Sequence, residues 1–434
     1  MNIERITDTG DENLEERIQV NPIGIRLPTV SPANIPVPTI MAMPFGAEMR
    51  VTHKRKSLKP RNDNKRIIHY SADYAGCGWW RFGLLEQIAN YSQKAHIMNT
   101  SILVDPFCES FWNDGIKAVR IQRQVTNESY RYFRDLRRVI EGRKLKTRLI
   151  YEIDDIVIGG LMPSYNLSKM MFERDHIQRN LKDNIMLCDE FTVCSKYMKE
   201  LYQDFVPSAN ITVIPNYATK AWFGHIFDRD YNARKFEENR KRPRVLLSCS
   251  GSHYVQWDIN PYNENDYSHV SDDIISSRKD FEYVWLGTYP NVMKPFIESG
   301  EMVHVGWSSP MDFPWIIKQL GCQVSIAALA DNDFNKAKSS IKYQEACYAG
   351  LPFVGQNIEC YKMAPHLFNT GAELVDQIKS IVADETIYMN EVDAATKAAD
   401  AYWMDDKIDD ILKIYDTPFA DPTRNAEWFV KVNY

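Results

Sequence analysis

The stretch from Val324 to Val354 constrains this chain more than any other. Val324-Ser325-Ile326-Ala327-Ala328-Leu329-Ala330 is an apolar run that reads as a buried strand, and a polar loop follows it, Asn335-Lys336-Ala337-Lys338-Ser339. A helical segment through Lys342 and Glu345 then leads to Ala349-Gly350-Leu351-Pro352 and a second apolar run at Phe353-Val354. Strand, loop, helix, Gly-Pro turn and strand make one unit of a parallel sheet. With a helix N-cap expected near Ser339, the spacing i, i+4, i+7 puts Lys338, Lys342 and Glu345 on one face. Two cations, free N–H groups at a helix start and a carboxylate further in suit a nucleoside diphosphate, with the carboxylate on the ribose diol. The same spacing also suits a solvated Lys/Glu face.

More such units precede it. Apolar runs at Arg66–Tyr70, Ile102–Val104, Ala118–Ile121, Arg148–Ile153, Phe191–Cys194 and Ile211–Ile214 read as strands, with helices expected over Trp80–Ser92, Tyr130–Glu141 and Lys196–Asp204. A second series starts at Arg244–Ser248 and continues through Phe281–Gly287 and Met302–Gly306, with helices at Asp272–Ser277 and Phe313–Leu320. The expectation is an α/β protein with two Rossmann-like domains, each a parallel sheet facing a cleft between them. The expected boundaries are a partly extended, proline-punctuated leader over 1–64, a first domain over 65–216, a polar connection over 217–243 and a second domain over 244–390. A helical tail over 391–434 is expected to pack back toward the first domain. In parallel sheets ligands sit at the carboxyl ends of the strands. The loops at 76–81, 154–160, 250–252 and 335–339 are therefore expected to converge.

Composition narrows the class. No apolar run reaches the ~18 residues a membrane span needs, and the N-terminus lacks an export signal. Eight cysteines are scattered without a C-x-x-C pair or zinc spacing, which points to a reducing, cytoplasmic setting and no structural metal. The net charge is −6. Basic residues nevertheless crowd two stretches: Lys54, Arg55, Lys56, Lys59, Arg61, Lys65 and Arg66, then Arg131, Arg134, Arg137, Arg138, Arg143, Lys144, Lys146 and Arg148. Such asymmetry permits a polyanion, double-stranded DNA in particular, to meet the N-terminal half, though a flexible leader and a solvated helix face have the same composition.

Three pieces together resemble the GT-B glycosyltransferases of the broad family-4 type, over roughly Arg66 to Tyr415. They are Ile214-Pro215-Asn216; Ser250-Gly251-Ser252 with His269-Val270-Ser271-Asp272, separated by an insert from His253 to Ser268; and Phe334-Asn335, Lys338-Ser339, Lys342, Glu345 with Gly350-Leu351-Pro352. More narrowly, Ala75-Gly76-Cys77-Gly78-Trp79-Trp80-Arg81-Phe82-Gly83-Leu84-Leu85-Glu86-Gln87 is similar to the N-terminal loop and helix of the T-even bacteriophage DNA α-glucosyltransferases. Tyr151-Glu152-Ile153-Asp154-Asp155 is similar to their Tyr-Gln-His-Asp-His loop, with Ile153 in place of the first histidine. The resemblance implies retaining transfer of glucose or arabinose from a UDP-sugar to the hydroxymethyl group of 5-hydroxymethylcytosine in phage DNA, with no covalently bound cofactor and no required metal. The rivals are a glycan, lipid or protein acceptor, and a non-catalytic DNA- or virion-binding protein on the same fold.

The candidate site residues follow from both readings. Glu345 is expected on the ribose, and Lys338, Ser339 and Lys342 on the diphosphate. Gly251 and Ser252 let backbone N–H groups approach phosphate. Gly78 and His269 are expected to face the donor. Asp154 and Asp155 end a strand, where a carboxylate could meet the sugar or the acceptor hydroxyl. Asp-Asp also suits a metal-binding GT-A enzyme, but the second strand–helix series would then have no role. Gly76 and Gly78 resemble half of a dinucleotide fingerprint whose third glycine is absent, since Arg81 holds the last motif position. Trp79, Trp80 and Arg81 are expected at the mouth of that loop, able to stack on a base and pair with phosphate.

Overall fold

The computed structural model describes residues 66–416 apart from 113–114, 225 and 255–263. The expected leader, the basic run before Arg66 and the end of the tail lie outside the described residues. Two six-stranded sheets are present. The first contains β1 (Arg66–Tyr70), β2 (His96–Thr100), β3 (Ile116–Gln122), β4 (Arg148–Glu152), β5 (Glu190–Val193) and β6 (Ile211–Val213), in the order β2-β1-β3-β4-β5-β6. The second contains β7 (Arg244–Cys249), β8 (Glu282–Gly287), β9 (Val303–Val305), β10 (Val324–Ala327), β11 (Phe353–Gln356) and β12 (His366–Phe368), in the order β12-β11-β10-β7-β8-β9. Every pairing is parallel.

Central strands are covered by helices on both faces, so β4 is buried along its whole length and β7 nearly so. That is why they read as unbroken apolar runs. Edge strands carry a weaker signal: β6 and β9 fall where apolar runs were expected, but at β2 the sequence misleads. Ile102–Val104 is loop; the strand is His96–Thr100, in which only Ile97 is fully buried. At the other molecular edge, β12 likewise buries only Phe368. The helix expected from Tyr130 starts at Asn127, because the Thr126 hydroxyl accepts the Ser129 N–H at 3.2 Å as an N-cap. The 217–243 stretch is more than a tether. It forms the Arg229–Glu238 helix, whose Phe236 stacks on Tyr388 of the Glu385–Ala398 helix at 4.8 Å.

Strand order creates one switch point in each sheet, between β1 and β3 in the first and between β10 and β7 in the second. An apolar cluster joins the two lobes beneath these points. Trp80 from the first lobe packs edge-on against Trp222 at 5.1 Å and stacks on Tyr348 at 6.5 Å, and Tyr348 meets Trp403 at 4.6 Å. Reciprocally, Phe334 and Ala337 of the second lobe are buried in the core of the first.

The first sheet also holds a buried polar network. Glu152 takes ion pairs from Arg81 (2.6 Å) and Arg120, and a hydrogen bond from Thr192, all of them buried. Tyr415, from the end of the described chain, inserts beside it: its hydroxyl accepts from Arg120 (3.4 Å) and hydrogen-bonds His69 Nε2 (2.8 Å). Burial, aided by Arg120, pushes the His69 imidazole well below its ordinary value, so it is neutral in the fold. The unfolded chain takes up a proton below about pH 6.5 that the folded chain refuses, so stability falls as pH drops through that point. We expect His69→Gln to remove up to about 1.4 kcal/mol per pH unit of acid slope between roughly pH 6.5 and 5, measured by urea unfolding across that range.

Candidate functional site

Both switch points deliver side chains to one seam between the lobes. From the first lobe come the loop after β1, Arg123 just past β3, and Asp154 and Asp155 just past β4. From the second come the loop after β7 and the segment after β10. The seam is bonded directly: Ser195 Oγ donates to Ala337 O at 2.7 Å, Tyr197 OH to Asp333 at 2.7 Å, and Asn216 Nδ2 to Ser339 Oγ at 2.9 Å.

The donor-type segment differs in detail from its sequence reading. The polar loop contains a short helix, Asp333–Lys336, whose start is capped by Asn332 accepting the Asn335 N–H at 2.9 Å. The next helix is Ile341–Tyr348, preceded by Ser340 rather than Ser339. Lys338 therefore lies between two helices and does not share a helix face with Lys342 and Glu345. Its ammonium sits 4.5 Å over the Phe334 ring and 3.9 Å from Asp155 across the seam. Lys342 reaches Glu345 at 3.2 Å and Ser248, near the end of β7, at 3.0 Å. Glu345 is buried, which raises its carboxyl above the ordinary range, while Lys342 pulls it back. The β10/β7 switch point is thus spanned by a lysine with its carboxylate.

The two aspartates behave differently from each other. Asp154 Oδ1 is buried without a hydrogen-bond donor among the described residues, 3.8 Å from Arg123. Asp155 has its carboxyl raised by burial and by Asp154, against the pull of Lys338 and Arg123. Ligand atoms of Cys77, Asp154 and Asp155 lie within 4.8 Å of one another. The Arg123 guanidinium sits against all three, 3.9 Å from Cys77 Sγ and 3.6 Å from Asp155, and also donates to Asp73 at 3.1 Å. Burial, with Asp154, keeps the Cys77 thiol protonated. A neutral thiol beside a resident guanidinium does not fit a divalent-cation site. Arg123 holds φ +46°, a left-handed conformation that costs a non-glycine residue about 1–2 kcal/mol.

The remaining predicted residues divide. Gly78 is required for close approach, but to the protein itself: a Cβ there would lie 1.8 Å from the Asp73 carbonyl oxygen. Its N–H donates to Asp73 Oδ1 at 3.1 Å. Gly251 and Ser252 form a turn past β7, where the Ser250 and Ser252 hydroxyls bond at 2.7 Å. His269 is exposed and bonds Gln356 at 2.7 Å, at the end of β11. Trp79 is half-buried against Trp222. Trp80 and Arg81 are not at a loop mouth. The π-helical turn Trp79–Gly83 rotates Trp80 into the interlobe core and Arg81 onto Glu152, Ile214 O (2.6 Å) and Asn216 (2.8 Å). Neither side chain is free to stack on a base or hold a phosphate.

Two members of the basic run 131–148 are committed elsewhere, while Arg131, Arg138, Arg143, Lys144 and Lys146 are exposed. Arg137 pairs with Asp189 at 2.8 Å and Arg148 with Glu190 at 3.1 Å, both buried. Arg143, Lys144 and Lys146 precede β4 and so lie at the strand edge opposite the site. Sequence reading missed Arg123, Asp73, Tyr165, His253 and Asp266. Arg123 was recoverable, since it follows the strand at a switch point. Asp73 pairs with Arg123 within the first lobe and His253 with Asp266 within the second, whereas Tyr165 reaches Asp266 across the seam.

No family model and no curated protein matches the sequence. Among solved structures the chain is similar to the glycosyltransferase from Rickettsia africae ESF-5, with a TM-score of 0.53 and 12% identity over 81% of this chain and 98% of that one. It is also similar to TarM, at 0.46 and 10% over 77% and 58%. A third is S. aureus MnaA solved with UDP, at 0.44 and 11% over 81% and 96%. At 12% identity the first likeness speaks for architecture: the chain has the GT-B fold, two parallel-sheet lobes with their strand ends apposed.

The burial of Arg81 yields a prediction. Arg81→Ala leaves Glu152 with one of its two arginines and is expected to destabilise the protein by about 3–5 kcal/mol in denaturant unfolding. A residue at an open acceptor site would cost well under 1 kcal/mol.

Proposed function

We propose that the protein is a glycosyltransferase that takes a sugar from a nucleoside diphosphate carrier. The observation that carries this reading is the Lys342–Glu345 pair spanning the β10/β7 switch point, with Lys338 facing the Asp154–Asp155 loop of the other lobe. The architecture shared with the Rickettsia africae glycosyltransferase supports it. Lys338 and Lys342 stabilise the negative charge that grows on the departing diphosphate. Glu345 accepts from the ribose diol. Its carboxyl, raised by burial and with Lys342 as its hydrogen-bond donor, suits a group that gains further donors when the nucleotide enters. Asp155 and Asp154, across the seam, meet the sugar and the incoming hydroxyl, and one carboxylate near an oxocarbenium-like carbon stabilises its positive charge. Arg123 sets the charge and position of both.

For the acceptor we propose the hydroxymethyl group of 5-hydroxymethylcytosine in DNA, with UDP-glucose or a UDP-pentose as donor and retention at the anomeric carbon. The support is the resemblance of the 75–87 and 151–155 segments. Burial of Trp80, Arg81, Arg137 and Arg148 favours a second reading, a glycan, lipid or protein acceptor, because it withdraws side chains a DNA duplex would use. Incubation of hydroxymethylcytosine DNA with a panel of UDP-sugars, followed by mass spectrometry of the nucleosides, separates the two. A glycosylated nucleoside is expected, and its absence with every donor, alongside UDP release onto a non-DNA acceptor, establishes the second reading. Glu345→Ala should weaken UDP-sugar binding roughly 10- to 150-fold by loss of a charged hydrogen bond, read by calorimetry on the folded variant.

A further inference from the structure

The loop after β7 ends in a side chain that the function above does not use. His253 Nδ1 lies 2.6 Å from Asp266 Oδ2, and the Asp266 N–H donates to His253 O at 3.0 Å. Asp266 is buried and its other oxygen is fully engaged: Oδ1 accepts from Tyr165 OH (2.5 Å), Asn335 Nδ2 (2.6 Å) and the Ala330 N–H (3.0 Å). Tyr165 comes from the first lobe, the others from the second. The carboxylate is therefore held from both lobes and holds the imidazole in turn. With Nδ1–H donated to Asp266, the ring presents Nε2 as its acceptor. Nε2 has no hydrogen-bond partner among the described residues. The loop that carries it leaves β7 at the Ser248–Lys342 contact, beside the diphosphate lysines.

We propose that His253 is a third contact to the donor's diphosphate, positioned by Asp266 and taking up a proton at Nε2 as the diphosphate enters. This deepens the donor-site reading above and rests on it. The charged groups around the ring are Asp266, Lys338, Lys342 and Asp155. Without a nucleotide, burial and the two lysines keep the imidazole below its ordinary value, and Asp266 offsets only part of this, so the ring is neutral near pH 7. A bound diphosphate brings negative charge against Nε2 and reverses that balance. The imidazolium then donates to a phosphate oxygen, backed by a buried carboxylate that is itself held below the usual range: its own burial would raise it, and His253 and Tyr165 overcome that.

The competing role is structural. The same two residues bracket the insert, and the paired backbone and side-chain bonds would clasp its neck whatever the ring's charge. Proton uptake separates the roles, because a clasp does not move it. UDP is titrated into the wild type and His253→Gln by calorimetry at pH 7, in buffers of different ionisation enthalpy. The terminal phosphate of UDP also titrates in this range, and the variant cancels that contribution. The wild type should take up about half to one proton more than the variant. It should also bind UDP roughly ten-fold more tightly at pH 6.5, with the gap closing toward pH 8.5. Asp266→Asn keeps an acceptor for Nδ1–H but loses the charge, and should lower the uptake. Equal uptake in wild type and His253→Gln, with UDP still bound, overturns the proposal and leaves the donor site standing. Failure of the wild type to bind UDP overturns both. If the variants do not fold, 15N-histidine spectra of the wild type read the same proton. None of the nine histidines gaining one on UDP binding would refute the assignment.

Discussion

Glu152 is the carboxylate on which the arrangement of this molecule depends. It is fully buried between Arg81 and Arg120, two positions before the loop that carries Asp154 and Asp155. The chain of contacts it starts leaves the first sheet altogether. Arg81 extends from Glu152 to Asn216, and Asn216 donates to Ser339, at the entrance to the helix of Lys342 and Glu345. One hydrogen-bonded path thus runs from the core of one lobe to the segment after β10 in the other. Buried ion pairs add little net stability over an apolar core of the same shape, but they tolerate few alternative geometries. Here they set the height of the Asp154–Asp155 loop and the orientation of the 76–83 turn together.

Packing makes the same connection without charge. Phe334 and Ala337, which flank the second lobe's ligand segment, are buried in the first lobe's core, while Trp80 does the converse. The two halves of the site are therefore braced from both directions. The lysines and the aspartates come from different sheets, yet their separation is fixed by side chains one or two residues away. A transfer reaction needs this, because its rate depends on holding two reacting groups at near-contact distance.

Charge around the seam is balanced locally rather than by a bulk field. Arg123 sits among Asp73, Asp154 and Asp155, Lys342 pairs with Glu345, and Asp266 faces His253. Lys338 crosses between the groups, 3.9 Å from Asp155. An entering diphosphate would draw Lys338 and Lys342 toward itself and leave Asp155 to Arg123. Ligand entry and the protonation of the site carboxylates are thereby linked through the same few side chains.

The sequence by itself determined the class of architecture, two parallel-sheet lobes. Central parallel strands are buried on both faces, so their apolar runs stand out; the lysines and glutamate after β10 were legible as residue types, but the break between two helices takes Lys338 off the face their spacing implied. Of the edge strands, β6 and β9 were legible as short apolar runs, whereas β2 and β12, whose few apolar residues stand beside polar ones, were not. The tertiary structure alone decided which polar residues are available. Trp80 and Arg81 have the composition of an acceptor surface, but a π-helical turn and a distant glutamate take them into the interior. Asp266 and His253 look unremarkable in the chain and are joined only because the ends of an insert close on each other beside Tyr165. Burial and partnership are relations between residues far apart in sequence, and no local pattern encodes them.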